Sequence, residues 1–185
     1  EKRFSVRAYA IRNERGEIRG VSQIATDITE RKQAERTLRE SEERYRSLIQ
    51  ASPDGITFSD LRGNLITANE QAAHMYGCDS VEELMNSAST AFDFVAPEDR
   101  QRALQNAKRT FDEGVLRNLE YKLIRKDGST YPVELSASTV KDADGKPMGF
   151  VGVIRDITKR KRTEQERMRL QEQFQHAQKM ESLGI

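Results

Sequence analysis

The phrase D-I-T-E-R-K at residues 27–32 returns at residues 156–161 as D-I-T-K-R-K. This repeat constrains the chain more than any other feature. A spacing of 129 residues is too long for a solenoid and suits tandem domains. The match extends upstream at the same offset: G-E-I-R-G at 16–20 aligns with G-K-P-M-G at 145–149, and 21–25 runs parallel to 150–154. Phe4, Val6 and Ala8 resemble Tyr131, Val133 and Leu135, with a two-residue slip in between. About a hundred residues of domain precede the second copy and almost none precede the first. Residues 1–29 are therefore expected to be the last two strands of a domain whose front is missing. The leading residue, Glu1 and not Met, reads as a cut from a longer protein.

A long polar segment follows each copy, and the composition reflects it. Of 185 residues, 36% are hydrophobic and 33% charged, so part of the length is expected to stay outside any core. The 31 basic and 30 acidic residues leave a net charge of +1, which argues against a general electrostatic grip on nucleic acid or a membrane surface. Cys78 stands alone, which excludes a disulfide framework and a cysteine metal cluster and fits a reducing, cytoplasmic compartment. No apolar run approaches the ~18 residues that a membrane span needs, and no signal peptide opens the chain. A membrane anchor elsewhere in a longer parent is compatible with this.

Between the two copies the pattern alternates like a small α+β domain. Ser52-Pro53-Asp54-Gly55 breaks a helical segment. Two short strands around 56–58 and 65–68 flank a turn at 60–64. Asn69 caps a short helix that Gly77 ends, and Ser80 starts another. Pro97 opens a longer helix to about Glu113, with Ala103, Leu104, Ala107 and Phe111 at helical spacing, and Gly114 stops it. Three strands follow at 116–125, 130–141 and 148–157, turned by K-D-G-S and D-A-D-G.

Five phrases within this order carry a resemblance: E-E-R-Y-R-S-L-I-Q-A-S-P-D-G-I at 42–56, G-N-L-I-T-A-N-E-Q-A-A at 63–73, V-A-P-E-D-R at 95–100, R-K-D-G-S-T-Y-P-V-E at 125–134 and G-F-V-G-V-I-R-D-I-T-K-R-K at 149–161. Together they resemble the PAS family. The resemblance implies a five-stranded antiparallel sheet with small helices on one face, cupped over a small cavity, in a domain that senses a signal or dimerises upstream of an output module. It divides the chain into the truncated strands at 1–29, a linker helix at 30–50, a whole domain at 51–158 and an output helix at 159–185.

The polar segments carry helical signals of their own. Glu35/Arg39, Glu40/Arg44 and Glu42/Arg46 are i,i+4 pairs. Ala34, Leu38, Ser41, Tyr45 and Leu48 step by alternating fours and threes, a coiled-coil seam. Leu170, Phe174 and Ala177 repeat the spacing, from which Met180 and Leu183 depart. Helices this polar need a partner, so a homodimer through Leu38, Tyr45, Leu48, Leu170, Phe174 and Ala177 is expected. Lys159-Arg160-Lys161-Arg162 reads as a solvated helix start, salt-bridged by Glu164 and Glu166, rather than a nucleic-acid signal.

Catalytic signatures are lacking: the sequence has no Gly-rich phosphate loop, nucleophile elbow or metal-binding motif. These residues are therefore not expected to form an enzyme site. Haem-binding relatives take their axial histidine from the longer helix, and here that helix has none. Flavin-binding light sensors need an asparagine-cysteine-arginine phrase, from which Tyr76-Gly77-Cys78-Asp79 departs. No cofactor or metal is expected, His74 reads as an ordinary helix residue, and a small-molecule ligand in the cavity stays open. Candidate cavity walls are Phe58, Met75, Tyr76, Leu84, Phe92, Phe94, Leu104, Phe111, Leu119, Tyr121, Leu123, Leu135 and Val153.

The tail at 178–184, Q-K-M-E-S-L-G, resembles the start of the dimerisation helix of sensor histidine kinases, with His176 lying ahead of the phrase. The expected function is thus a regulatory module of such a kinase. It relays a signal through paired helices from the joints Asp156-Ile157-Thr158 and Asp27–Thr29, where Asp156 and Thr158 can each cap the helix and Arg155 or Lys159 can hold the Asp156 charge. A nucleotide cyclase or other output, and a haem- or flavin-loaded sensor, are the alternatives.

Overall fold

The computed structural model describes residues 2–87 and 90–182, and the chain divides into two compact units, 1–48 and 49–185. In the first unit β1 (Phe4–Arg12) and β2 (Ile18–Asp27) form an antiparallel hairpin, followed by α1 (Thr29–Gln50). Asn13 Oδ1 accepts from the N–H groups of Arg15 and Glu17, both at 3.0 Å, which folds the turn. Among the described residues the hairpin pairs with no third strand, and its apolar side chains are exposed, Phe4 at 54% and Val21 at 61%.

The last two residues of α1 belong to the second unit, which holds β3 (Gly55–Asp60), β4 (Leu65–Ala68), α2 (Glu70–Met75), α3 (Val81–Ser87), a 3-10 turn (Ala91–Phe94), α4 (Pro97–Glu113), β5 (Val115–Ile124), β6 (Thr130–Lys141), β7 (Pro147–Asp156) and α5 (Thr158–Ser182). The strands make one sheet in the order β4-β3-β7-β6-β5, and every pairing is antiparallel. The core lies between one face of this sheet and the small helices, around Leu84, Leu123, Val133 and Ile154. Local chemistry sets the elements: Asn69 caps α2 through Ala72 N, Ser80 Oγ accepts from Glu83 N, and Gly114, at φ +85°, ends α4. Among the described residues no helix is long and apolar enough to cross a membrane.

The repeat is closer in three dimensions than in sequence. Phe4 pairs with Asp27 and Val133 with Asp156; Arg12 pairs with Ile18 and Lys141 with Pro147; each hairpin has its bulge at the same place. The spacing of 129 thus holds along both strands, and the two-residue slip is corrected: Phe4 corresponds to Val133, not Tyr131. Side-chain similarity misled because Phe4 and Tyr131 are both aromatic, whereas the pairing with Asp27 and Asp156 is what sets the correspondence.

The helix pairs also differ from expectation. Arg31–Glu35, Arg36–Glu40 and Arg39–Glu43 form, each with the arginine first, rather than the glutamate-first pairs. Most of these glutamates have an arginine on either side, and exposed pairs of either sense are worth only tenths of a kcal/mol.

Candidate functional site: an interior cavity and an output joint

Strand alternation decides which side chains meet inside. Thr57 and Ser59 of β3, Leu119, Tyr121 and Leu123 of β5, Leu135 and Ala137 of β6, and Phe150, Gly152 and Ile154 of β7 all face one cavity of about 100 Å³. Tyr76, Ala91, Phe92 and Val95 close one side, and Ala103, Asn106, Ala107 and Thr110 of α4 close another. The lining is mainly apolar with a few placed polar groups. Asn106 Nδ2 donates to Tyr121 OH at 2.8 Å, and burial raises the Tyr121 phenol above its ordinary range. The Phe92 ring lies over Gly63 and leaves no room for a side chain, since a Cβ there would stand 2.5 Å from the ring, and the φ of +89° disfavours one independently. The volume is below the ~300–1,000 Å³ of pockets for drug-sized ligands.

Of the expected wall residues, Tyr76, Phe92, Leu119, Tyr121, Leu123 and Leu135 line the cavity. The others do not. Phe58 and Val153 alternate with lining residues of β3 and β7, so they sit on the outer face of the sheet. Met75, Leu84 and Phe94 are core residues elsewhere; Phe94 packs on the Tyr76 ring with centroids 4.2 Å apart. Leu104 and Phe111 are 50% and 47% exposed. The inward stripe of α4 is Ala103, Asn106, Ala107 and Thr110, one position away from these larger residues, so residue size pointed to the wrong face. Thr57, Ser59, Phe150, Gly152 and Ile154 were missed, although the alternation of β3 and β7 was available to find them. Cys78 is buried, with Sγ 3.9 Å from Ser87 Oγ, and His74 and His176 are exposed.

The second feature is the joint between β7 and α5. Asp156 Oδ1 accepts from Thr158 N at 2.7 Å. Ile157 is 2% exposed; its N–H donates to Pro132 O at 3.1 Å, and its C=O accepts from Lys161 N at 2.9 Å, which starts the helix. The first joint has the same geometry: Asp27 Oδ1 accepts from Thr29 N at 2.9 Å, and this bonding lowers the Asp27 pKa. Arg155 and Lys159 were the expected partners of Asp156. Instead Arg125 Nη2 stands 3.6 Å from its Oδ2, while Arg155 reaches Asp54. Thr158 was expected to cap the helix with its hydroxyl. Its Oγ1 is buried and without a partner among the described residues.

The basic cluster has a purpose that the sequence did not show. Glu120 and Glu134 face each other across β5 and β6, an unfavourable like-charge pair. Arg160 bridges both, at 2.9 and 3.1 Å, and Lys161 adds 2.7 Å to Glu120. These ion pairs tie the first turn of α5 to the sheet, in place of the expected pairing with Glu164 and Glu166. At the other end of the domain, Asn69 uses its whole side-chain amide. Nδ2 donates to Ile49 O at 3.0 Å and Asp54 O at 3.1 Å, and Oδ1 accepts from Ile56 N and Ala72 N, both at 2.9 Å. Asn69 is fully buried and joins the end of α1 to the sheet.

The candidate seam residues are exposed: Leu38 at 61%, Tyr45 at 64%, Leu48 at 63%, Leu170 at 55% and Phe174 at 64%. The Ala177 side chain, together with Leu183 at the end of the tail phrase, lies outside the described residues.

A five-stranded antiparallel sheet, helices over a small cavity, and a helix leaving from a D-I-T joint together make the architecture that the sequence phrases implied. Residues 53–159 match the PAS domain family, and the chain belongs to that family. It is 30% identical to the sensor protein FixL of Bradyrhizobium diazoefficiens over 96% of its own length and 35% of FixL. It is 28% identical to the probable diguanylate cyclase DgcE of Escherichia coli over 79% of its length and 13% of DgcE. A domain of a sensory box sensor histidine kinase/response regulator from Geobacter sulfurreducens has the same fold, with a TM-score of 0.52 and 24% identity over 64% of this chain and 96% of that one. The chain thus spans about a third or less of the curated relatives named here. It carries a PAS sensor domain of the kind found in signalling proteins.

Proposed function

We propose that this chain is the signal-relaying module of a sensor histidine kinase, acting as a homodimer through α1 and α5. The observation that carries the reading is the direct attachment of α5 to the sheet. The helix begins two residues after β7, its start is capped by Asp156, and its first turn is ion-paired to β5 and β6. A change in the cavity that shifts these strands therefore moves the base of α5. The exposed seam residues supply the apolar stripe by which two such helices pair. The kinase output rests on the tail phrase at 178–184, and the likeness to the sensor protein FixL supports the sensing role. The likeness to DgcE favours a cyclase as the second reading.

The β1–β2 hairpin is read as the end of a preceding PAS domain. It reproduces β6–β7 in register, bulge and turn, but lacks the neighbours β5 and β3 that cover those strands. The proposed setting is the cytoplasm.

The test is Asp156→Ala in the full-length parent. The reading expects the domain to stay folded while the difference between signalling states of the output collapses. A variant that loses stability yet keeps the full difference makes Asp156 a cap and nothing more. The sequence of the parent beyond Ile185, read for a histidine box or a cyclase signature, separates the two outputs.

A further inference from the structure

Compared residue by residue at their constant spacing, the two joints differ in the partners of the threonine hydroxyl. In both, the isoleucine N–H donates back to the strand: Ile28 to Arg3 O at 2.9 Å, and Ile157 to Pro132 O at 3.1 Å. The N–H and C=O of one strand residue point to the same side, so the residue that accepts from the isoleucine also aims its own N–H at the joint. Arg3 uses that N–H, which donates to Thr29 Oγ1 at 2.8 Å, and the hydroxyl in turn donates to Arg3 O at 3.5 Å. Pro132 stands in the matching place and has no N–H to give. Its counterpart hydroxyl, Thr158 Oγ1, is buried without a partner among the described residues, as is Tyr131 OH. Pro132 does not disturb the sheet: it lies opposite Lys122 of β5 with its nitrogen turned toward the joint.

We propose that Pro132 withholds a hydrogen bond from Thr158, and that this makes the base of α5 the part of the domain poised to release. A buried hydroxyl without a partner is destabilising, and opening the turn to water relieves it. Beside the backbone, the base of α5 is held by the buried Ile157 side chain, the Asp156 cap with Arg125 near it, and the ion pairs of Arg160 and Lys161, whose partly exposed side chains salt screens. The functional consequence rests on the reading of α5 as the output helix; the difference between the joints does not.

Amide hydrogen exchange on the 185-residue chain tests it. Pro132→Ala supplies an N–H at position 132. The expected result is exchange at Lys161 slowed by roughly threefold to tenfold, the range one added hydrogen bond gives. Thr158→Val added to that variant should erase the gain, whereas Thr158→Val alone leaves Lys161 no faster than in the parent sequence. Thr29→Val, which breaks a bond that exists, should accelerate Lys32 by a similar factor. Unchanged exchange at Lys161 in Pro132→Ala, or the same slowing when Thr158→Val is also present, overturns the proposal. Should Pro132→Ala not fold, the two threonine variants decide: equal acceleration at Lys32 and Lys161 overturns it. An unchanged signalling response in the full-length parent, beside slowed exchange, overturns the output role of α5 and not the assignment of the joint.

Discussion

Arg155 and Asp54 are 101 positions apart in the chain, yet they meet through two parallel contacts, Nε to Oδ1 at 3.0 Å and Nη2 to Oδ2 at 2.7 Å. This fork holds the end of β7 against the loop that starts β3, one residue before the Asp156 joint. The Asp54 side chain is only 15% exposed, and its backbone C=O also accepts from Asn69. The end of α1, the start of β3 and the exit of β7 are thereby linked through polar contacts. Arg155→Lys cannot reproduce the planar fork. It is expected to lower the melting temperature by roughly 2–4 °C at low salt, with the loss shrinking in 1 M salt. A salt-independent loss would place the effect in packing instead.

Asn69→Asp separates two jobs that one side chain performs. The acceptor to Ile56 N and Ala72 N survives, while the donors to Ile49 O and Asp54 O are lost. The expected outcome is fraying of the last turn of α1 with α2 intact, read by amide exchange. Asn69→Ala removes both jobs and should cost about 3 kcal/mol, because a helix cap and buried backbone groups lose partners together.

Glu120, beneath α5, predicts a pH response. Hydrogen bonding to Lys161, with the neighbouring Arg160 charge, holds the Glu120 carboxyl below its ordinary 4.5. A carboxyl with a lowered folded pKa stabilises fully above its unfolded value and loses that contribution as pH falls through the folded one. The first turn of α5 should therefore stay docked above about pH 4.5 and loosen below it, in the range where Glu120 takes up its proton. Amide exchange or nuclear magnetic resonance shifts at 158–161 would follow the change, and Glu120→Gln should weaken the docking at neutral pH and flatten its pH dependence.

Gly63→Ala forces a positive φ on a side chain and drives its Cβ into the Phe92 ring. The expected cost is about 2 kcal/mol or more, with displacement of Phe92 from the cavity rim. Denaturant unfolding measures the first effect and tyrosine fluorescence, through neighbouring Tyr76 and Tyr121, reports the second.

The sequence carried element order well because turns and caps are local chemistry: Asn69, Gly77, Pro97 and Gly114 each mark a boundary that the fold respects. It carried the interior less well. Leu104 and Phe111 attracted attention by size, yet a rotation of one residue on α4 puts Ala103 and Thr110 inside instead. Strand alternation selects Thr57 and Gly152 over Phe58 and Val153, but which parity faces inward depends on the helices that cover the sheet. The pairs Arg155–Asp54 and Arg160–Glu134 join distant positions and leave no periodic trace. The joints were legible because they occur twice. The difference between them was not, since it lies in an N–H that Pro132 lacks.

Pairing of the exit helices is the central claim, and single-cysteine crosslinking tests it most directly. Cys78 is buried, so a cysteine placed on α5 reports its own surroundings. Leu170→Cys and Phe174→Cys, on the seam, are predicted to form disulfide-linked dimers rapidly under mild oxidation. Glu172→Cys, off the seam, is predicted not to, while light scattering of the unmodified chain gives about twice 21.2 kDa. A mass that stays monomeric at high concentration, or crosslinking equal at all three positions, would contradict the account.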